Sequence, residues 1–311
     1  MQADIDTLMV CSCDQRYFPL AKGLILSIVE QGTLPAGVGL GFVDIGCEPE
    51  ALQWLRQHGA RIRMMDPLVL GGLAAPELGY QRSQTCRPLL PKMFPEVSRL
   101  IWLDCDAWIQ DMSILAYLRE ALARNREQLF IAPECHYTYT TINEDSERRQ
   151  NEMYGYYEQS FGTEVAVKMS RRVTLNSGFF AMAAENPLWA EWETEVRRIF
   201  LGSRTGGNGI ARHMAEQLAL NVAATRSPNV TLLDPLYNYV CLWNPPFRDA
   251  DGVVRVALPP HAAVGIVHLA GGWRLFGERY RDRGLLYRSG GYLTDADRRG
   301  LFCDRGPAEV R

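Results

Sequence analysis

The sequence predicts an α/β protein whose mixed, mostly parallel central sheet is flanked by helices. Two observations carry this prediction. Residues 7–66 alternate short, unbroken apolar segments with amphipathic ones, which gives the order β-α-β-α-β. The apolar segments read as buried strands, as expected for a sheet covered by helices. Ligands of such sheets bind outside the carboxyl ends of the strands, so polar residues at those ends are the first candidates for a functional site.

The opening elements follow from local signals. Residues 7–13 form an uninterrupted apolar run, and Pro19 and Gly32 bracket the next helix, because proline suits a first helical turn and glycine ends a helix. The other elements of this region are strands at 38–44 and 61–66 and a helix at 49–59.

The rest of the chain continues the pattern with one interruption. Segment 134–172 is polar and rich in tyrosine, and it separates two apolar segments at 128–132 and 175–183. We expect an insert there. The other predicted strands are 99–104, 230–234 and 264–269, the predicted helices are a short one near 84–91 and longer ones at 113–126, 187–201 and 211–224, and 205–209 is a glycine-rich connector.

Composition narrows the class of protein. The 311 residues are 47% hydrophobic and 22% charged, and the net charge of −3 does not suggest a nucleic-acid binder. No apolar stretch approaches the roughly 20 residues that span a bilayer, and the N-terminus does not resemble a signal peptide. The eight cysteines contain no CxxC pair, so we expect reduced thiols, no zinc site and a cytoplasmic location.

Two aspartates stand where an apolar strand ends. Asp104 and Asp106, in the run RLIWLDCDAWIQD, are two positions apart, so their side chains point the same way on extended backbone. Converging carboxylates repel each other unless one is protonated or a cation lies between them. Magnesium or manganese is the natural partner of such oxygens. The alternative is an ordinary strand end that meets water.

A distant histidine supplies a second polar cluster. His268 ends the predicted strand at 264–269 and is followed by Gly271, Gly272 and Arg274. Glycines let backbone N–H groups approach an anion, and an arginine binds phosphate in fork geometry. Neutral imidazole is a competent manganese ligand, although a lone histidine is more often a hydrogen-bonded core residue. Because two aspartates are also available, we favour a metal site formed by Asp104, Asp106 and His268.

Six segments in order resemble the retaining glycosyltransferases of family 8, which have the GT-A fold, a Rossmann-like nucleotide-diphospho-sugar transferase fold, and include bacterial lipooligosaccharide galactosyltransferases and glycogenin. The similarity runs across most of residues 7–276. Each segment is weak alone, and their common order makes the resemblance strong. The segments are VCSCDQRYF, QTCRPLLPKMFP, WLDCDAWIQD, LNSGFFAM, EQLALN and HLAGGWRLF.

The resemblance implies an enzyme and its cofactor. It implies a metal-dependent hexosyltransferase that moves galactose or glucose from a UDP-sugar to a hydroxyl acceptor with retention of configuration. Mn²⁺ is the expected metal, with Mg²⁺ as the alternative, and the UDP-sugar is the donor substrate.

The resemblance also implies roles for individual residues. Asp104, Asp106 and His268 would hold the metal. Asp104 would also reach the donor's diphosphate through that metal. The other residues on the donor would be Ser12 and Asp14 at the uracil and ribose, Tyr17 on the base, Arg87 at the sugar or phosphates, Asn176 and Gly178 around the sugar, and Gly271 and Arg274 on the diphosphate. Glu216 and Gln217 would face the anomeric carbon as catalytic residues, either stabilising the sugar cation or acting as a nucleophile. A helix-dipole role is the alternative for Glu216.

This sequence departs from the family pattern in three places. Arg274 replaces the family's lysine, which keeps the charge but changes its geometry. Leu275 and Phe276 replace the family's Pro-Trp, and Leu218 replaces the second acid of Asp-Gln-Asp. These changes bear on the specificity for the sugar and leave the metal set complete.

We expect a catalytic domain at 1–273, with an acceptor-side insert at about 134–172, and a C-terminal extension at 274–311. The tyrosines of the insert either pack or stack on an acceptor sugar. The extension mixes arginine with Leu, Phe and Tyr, so it either packs on the domain or lies on an anionic membrane, and its glycines and acids favour packing. The acceptor is a glycan, a protein or a small molecule. No nucleic-acid partner is expected.

Two other classes of protein remain open. One is a nucleotide-sugar hydrolase or nucleotidyltransferase, although the segment CSCDQRYF lacks the glycine-rich signature and activating lysine of nucleotidyltransferases. The other is a non-catalytic nucleotide-sugar-binding protein, against which the complete set of two aspartates and a histidine argues.

Overall fold

The computed structural model describes residues 4–65, 80–201 and 210–270. Gly271, Arg274, the 205–209 connector and the C-terminal extension therefore lie outside the described residues. Within these ranges, the cysteines are free thiols, as expected.

The core of the protein is a seven-stranded sheet in the order β3-β2-β1-β4-β7-β6-β8. Its strands are β1 (Thr7–Cys13), β2 (Val38–Asp44), β3 (Arg61–Met64), β4 (Arg99–Leu103), β6 (Leu129–Pro133), β7 (Leu175–Ala183) and β8 (Val230–Leu232). Strand β7 runs antiparallel to both of its neighbours, and every other pairing is parallel. The predicted mixed, mostly parallel α/β fold is confirmed.

Within the described ranges, five very short strands lie outside this sheet. Strands β5 (Ala107–Ile109), β9 (Tyr239–Val240) and β12 (Ile266–His268) form a three-stranded sheet, and β10 (Phe247–Arg248) pairs with β11 (Val254–Arg255). The sequence predicts only the last part of this region, at 264–269. The small sheets matter for function because β12 carries His268.

Helices cover the sheet and form the insert. The helices are α1 (Phe18–Glu30), α2 (Pro49–Gln57), α3 (Tyr80–Cys86), α4 (Leu90–Met93), α5 (Ser113–Arg124), α6 (Thr140–Asn143), α7 (Ser146–Phe161), α8 (Thr163–Met169), α9 (Leu188–Leu201) and α10 (Ile210–Ala224). Short 3₁₀ turns occur at Arg87–Leu89 and Pro235–Asn238. The insert between β6 and β7 is therefore largely helical.

Alternating side chains of the central strands feed two apolar layers. Leu8 and Val10 of β1 pack on one face, and Met9 and Cys11 pack on the other. On the first face, Phe180 of β7 meets the rings of two buried tryptophans from α9 at 5.2 and 5.8 Å. Burying each such side chain contributes about 1.5–3 kcal/mol, so this layer holds the strand that leads into the site rigidly.

The strand pairings bring distant segments to one edge of the sheet. Strand β4 ends at Leu103, opposite Phe179 of β7, and the Asp104 N–H then donates to the Gly178 carbonyl at 2.8 Å. His268 of β12 lies opposite Ala107 of β5 in an antiparallel pair. The small sheet thus folds back over the carboxyl end of β4, where the aspartates stand.

Candidate functional site

The structure brings Asp104, Asp106 and His268 together, with one ligand atom of each within 4.8 Å of the others. The His268 Nε2 atom lies 3.4 Å from Asp106 Oδ1 and 3.7 Å from Asp104 Oδ2. His268 is buried, and the aspartate side chains are only partly exposed. Among the residues the structure describes, this is the one such cluster of His, Cys, Asp or Glu.

The charges of this cluster favour a cation. Burial lowers the pKa of His268, but the hydrogen bond to Asp106 and the charges of both aspartates outweigh it and raise that pKa. Two carboxylates thus attract positive charge to one point, and a hard divalent ion with oxygen and imidazole ligands satisfies that demand. The residues present fit such an ion.

Gly178 makes room for this arrangement. A Cβ atom at position 178 would lie 2.5 Å from His268 Cε1, 2.8 Å from Asn176 Oδ1 and 3.0 Å from Asp104 Oδ2. These distances are too short for any side chain. Strand β7 therefore carries glycine where its backbone passes closest to the cluster.

Asp104 is fixed from its other side. Its Oδ1 atom accepts hydrogen bonds from Arg87 Nη2 at 2.6 Å and from the Trp102 indole at 2.7 Å, which leaves Oδ2 towards the histidine. The guanidinium lies 5.0 Å from the centre of the Trp102 ring. Such outer contacts orient metal ligands in proteins.

Arg87 also joins Asp104 to a second buried acid. Its Nη1 atom donates to Glu216 Oε2 at 2.5 Å and to Ser177 Oγ at 2.7 Å. Burial and the charge of Asp104 raise the pKa of Glu216 to about 7, against the opposing effect of Arg87. Glu216 Oε1 is buried and has no hydrogen-bond partner among the residues that the structure describes.

Gln217 is held by both ends of its amide. Its Oε1 atom accepts from the Ser177 N–H at 3.1 Å and from Ser177 Oγ at 3.3 Å, and its Nε2 atom donates to Glu134 Oε1 at 3.0 Å. Asn176 donates to the same Glu134 oxygen at 2.7 Å. Its Oδ1 atom accepts from the Gly178 N–H at 2.8 Å.

The predicted base-binding residues lie at the end of β1, beside β4. Ser12 is buried in that strand. Asp14 Oδ1 accepts a hydrogen bond from the Tyr17 N–H at 3.1 Å, which shapes the turn into α1. The structure thus places all three near the edge that carries Asp104.

The tyrosines of the insert divide into two groups. Tyr139 and Tyr157 are buried, and Tyr154 and Tyr156 are partly buried against the core. Tyr137 exposes about half of its surface. Packing therefore accounts for most of these rings.

Leu218, which replaces a family acid, is fully buried in the core.

Three residues of this site are missing from the sequence-based set: Trp102, Glu134 and Ser177. Ser177 and Trp102 lie inside segments that carry the family resemblance. Glu134 directly follows strand β6, and a polar residue just beyond a buried strand is a signal that would have found it.

The fold is similar to solved structures of glycosyltransferases. An active-site mutant of LgtC has a TM-score of 0.58 and 14% identity, over 95% of this chain and 100% of that chain. The galactosyltransferase LgtC in complex with donor and acceptor sugar analogues has a TM-score of 0.53 and 13% identity, over 95% and 100%. Mouse xyloside xylosyltransferase 1 has a TM-score of 0.51 and 15% identity, over 87% and 99%.

These structural neighbours are glycosyltransferases with the GT-A fold, and this chain has that fold. No family model matches the sequence. A search of curated proteins also finds no match. Within residues 4–65, 80–201 and 210–270, no helix is long and apolar enough to cross a membrane.

Proposed function

We propose that this protein is a metal-dependent, retaining glycosyltransferase that moves galactose or glucose from a UDP-sugar to a hydroxyl group. The observation that carries the proposal is the convergence of Asp104, Asp106 and His268 at the carboxyl end of β4. The GT-A fold and a neighbour solved with donor and acceptor sugar analogues support it.

Asp104, Asp106 and His268 would hold Mn²⁺, or Mg²⁺ in its place. When bound, the ion supplies Lewis-acid stabilisation of the departing diphosphate. Gly271 and Arg274, outside the described residues, would bind the same diphosphate through backbone N–H groups and a guanidinium. Ser12, Asp14 and Tyr17 would hold the uridine.

The remaining residues would act on the sugar. Asn176 and Gly178 would shape its pocket, since they border the metal cluster. Arg87 binds Asp104 and Glu216 at once and so orients both towards the donor. Glu216 Oε1, buried and without a hydrogen-bond partner in the described part of the chain, is suited to a sugar hydroxyl.

Glu216 and Gln217 keep different roles in this proposal. The Gln217 oxygen already accepts two hydrogen bonds from Ser177, so we assign Gln217 to electrostatic support of the sugar cation and not to nucleophilic attack. Retention of configuration follows from the family resemblance. The catalytic domain at 1–273, the extension at 274–311 and an acceptor that is a glycan, protein or small molecule belong to the same proposal.

Donor turnover tests the proposal directly. The protein is incubated with UDP-galactose, UDP-glucose or a GDP-sugar, with Mn²⁺ or with a chelator, and released nucleoside diphosphate is measured. We expect slow release of UDP from one UDP-hexose with Mn²⁺, and none with the chelator or the GDP-sugar. Release that persists in the chelator, or the absence of release from both UDP-hexoses, would contradict the proposal.

A further inference from the structure

Glu134 has a buried carboxylate that accepts hydrogen bonds from two residues assigned to the sugar, Asn176 and Gln217. One of its oxygens accepts from Asn176 Nδ2 at 2.7 Å and from Gln217 Nε2 at 3.0 Å. The other accepts from Arg149 Nη2 at 2.8 Å. Its side chain is 5% exposed. The first two partners come from β7 and α10, and Arg149 comes from α7, so Glu134 joins three elements.

Glu134 determines which way the two amides face. A carboxylate can only accept hydrogen bonds, so both amides must turn their nitrogen towards it. The opposite ends of the amides agree with this orientation. Gln217 Oε1 accepts from the Ser177 N–H, and Asn176 Oδ1 accepts from the Gly178 N–H. Backbone N–H groups can only donate, so a flipped amide would lose hydrogen bonds at both ends.

Arg149 binds the other side of the Glu134 carboxylate. Its guanidinium pairs with the second Glu134 oxygen and lies 5.1 Å from the centre of the Trp243 ring. Arg149 is mostly buried, so water screens the pair little. The guanidinium occupies one carboxylate oxygen and leaves the other for the amides.

We propose that Glu134 is a positioning residue for the transfer step, which fixes the amides of Gln217 and Asn176 against the sugar. This inference rests on the proposed function. Its hydrogen bonds with the described residues go to Asn176, Gln217 and Arg149, none of which belongs to the candidate metal cluster, so Glu134 acts on the sugar side of the pocket. Its loss therefore lowers kcat and leaves binding of UDP with Mn²⁺ unchanged.

The test is a double-mutant cycle. In Glu134→Gln, the single carbonyl oxygen can face either the two amides or Arg149. In both orientations, the amide nitrogen of the new side chain points at a hydrogen-bond donor on the other side. We expect kcat for donor turnover to fall roughly 10- to 100-fold, the range seen when residues that orient site groups are lost. The affinity for UDP with Mn²⁺ should stay within about twofold. Glu120→Gln, an exposed acid on α5, is the matched control and should leave kcat unchanged.

The second variant separates positioning from folding. Adding Arg149→Met to Glu134→Gln removes the competing donor, so the carbonyl can face the amides again and kcat should recover at least severalfold. A purely structural role predicts that the double variant is worse than either single one. Side-chain amide exchange of Gln217 and Asn176, measured by NMR, should be faster in Glu134→Gln and slower again in the double variant.

The outcomes separate this inference from the proposed function. A wild-type protein that turns over no UDP-sugar contradicts the proposed function. An active wild type with an equally active Glu134→Gln overturns the positioning role. A parallel loss of UDP–Mn²⁺ affinity and kcat, or the absence of recovery in the double variant, overturns it as well.

Discussion

At the scale of single residues, the candidate site depends on which oxygen of Asp104 faces His268. The Oδ1 atom of Asp104 accepts hydrogen bonds from Arg87 and Trp102, and its Oδ2 atom faces His268. Two acids two positions apart at a strand end can be recognised in a sequence. Glu134 and Ser177 instead orient Asn176, Gln217 and Glu216, which come from other parts of the chain. This is why the sequence-based set contains the candidate metal ligands but lacks Glu134 and Ser177.

Gly178→Ala tests the space beside the metal cluster. The new Cβ would meet His268 Cε1 at 2.5 Å and Asp104 Oδ2 at 3.0 Å, so a ligand must move. We expect affinity for Mn²⁺, measured by calorimetry, to fall at least about tenfold, with a loss of about 1–3 kcal/mol in the free energy of unfolding.

Gly155→Ala is the matched control for that substitution. Gly155 lies inside α7, and a Cβ there would meet nothing within 4 Å. Alanine favours a helix interior over glycine by about 0.5–1 kcal/mol, so stability should rise and metal affinity should not change. Equal Mn²⁺ affinity in the two alanine variants would contradict the role assigned to Gly178.

At the scale of elements, the sequence predicts the long segments well and the short ones poorly. The predicted strands at 7–13, 38–44 and 175–183 match the structure residue for residue, because long buried runs carry their own signal. Strands β5 and β9, of three and two residues, carry no such signal, since their neighbours in the fold create them.

The sequence of helix α7 carries a helical spacing of buried residues that the sequence analysis does not use. Met153, Tyr157 and Phe161 recur every four residues and are all buried, which is the spacing of a helix face. Tyrosine stands at the middle position, and a segment rich in tyrosine, glutamate and arginine does not stand out as amphipathic. The sequence therefore predicts an insert at this position but does not predict the helices within it.

Asp6 ties three elements together at the opposite end of the sheet from the site. Its carboxylate accepts from Arg119 of α5 at 2.7 and 2.8 Å and pairs with Arg99 of β4 at 2.8 Å, just before β1 begins. Burial alone would raise the pKa of Asp6, but hydrogen bonds from Arg119, Thr7 and Arg99 lower it well below its usual range. A lowered pKa stabilises the fold above the unfolded-state value near 3.8, and this contribution is lost as the pH falls below it.

Asp6→Asn should therefore destabilise the protein at neutral pH more than in acid. We expect a loss of about 1 kcal/mol at pH 7, since the acid is one-third exposed and water weakens its pairs. The loss should shrink as the pH falls from 4 towards 2. Urea unfolding at each pH measures it, with the exposed Asp4→Asn as control. An equal loss at every pH would contradict the account.

At the scale of the whole molecule, the fold gathers charge at one edge of the sheet. Arg87 pairs with Asp104 and Glu216, and Asp106 lies in the same cluster as Asp104. These residues lie between positions 87 and 216 of the sequence, and the fold brings them together at one edge of the sheet. An excess of acid in a largely buried site is costly unless a ligand supplies positive charge, so we expect a divalent cation and a nucleoside diphosphate to bind here as a unit.

Calorimetric titration of UDP, with Mn²⁺ or with a chelator, tests that claim most directly. We expect binding that requires Mn²⁺ in the wild type, disappears in Asp106→Asn and persists in Asp251→Asn, whose aspartate is exposed in the turn between β10 and β11. UDP binding of equal affinity in the chelator, or an Asp106→Asn variant that still binds UDP in a Mn²⁺-dependent manner, would contradict it.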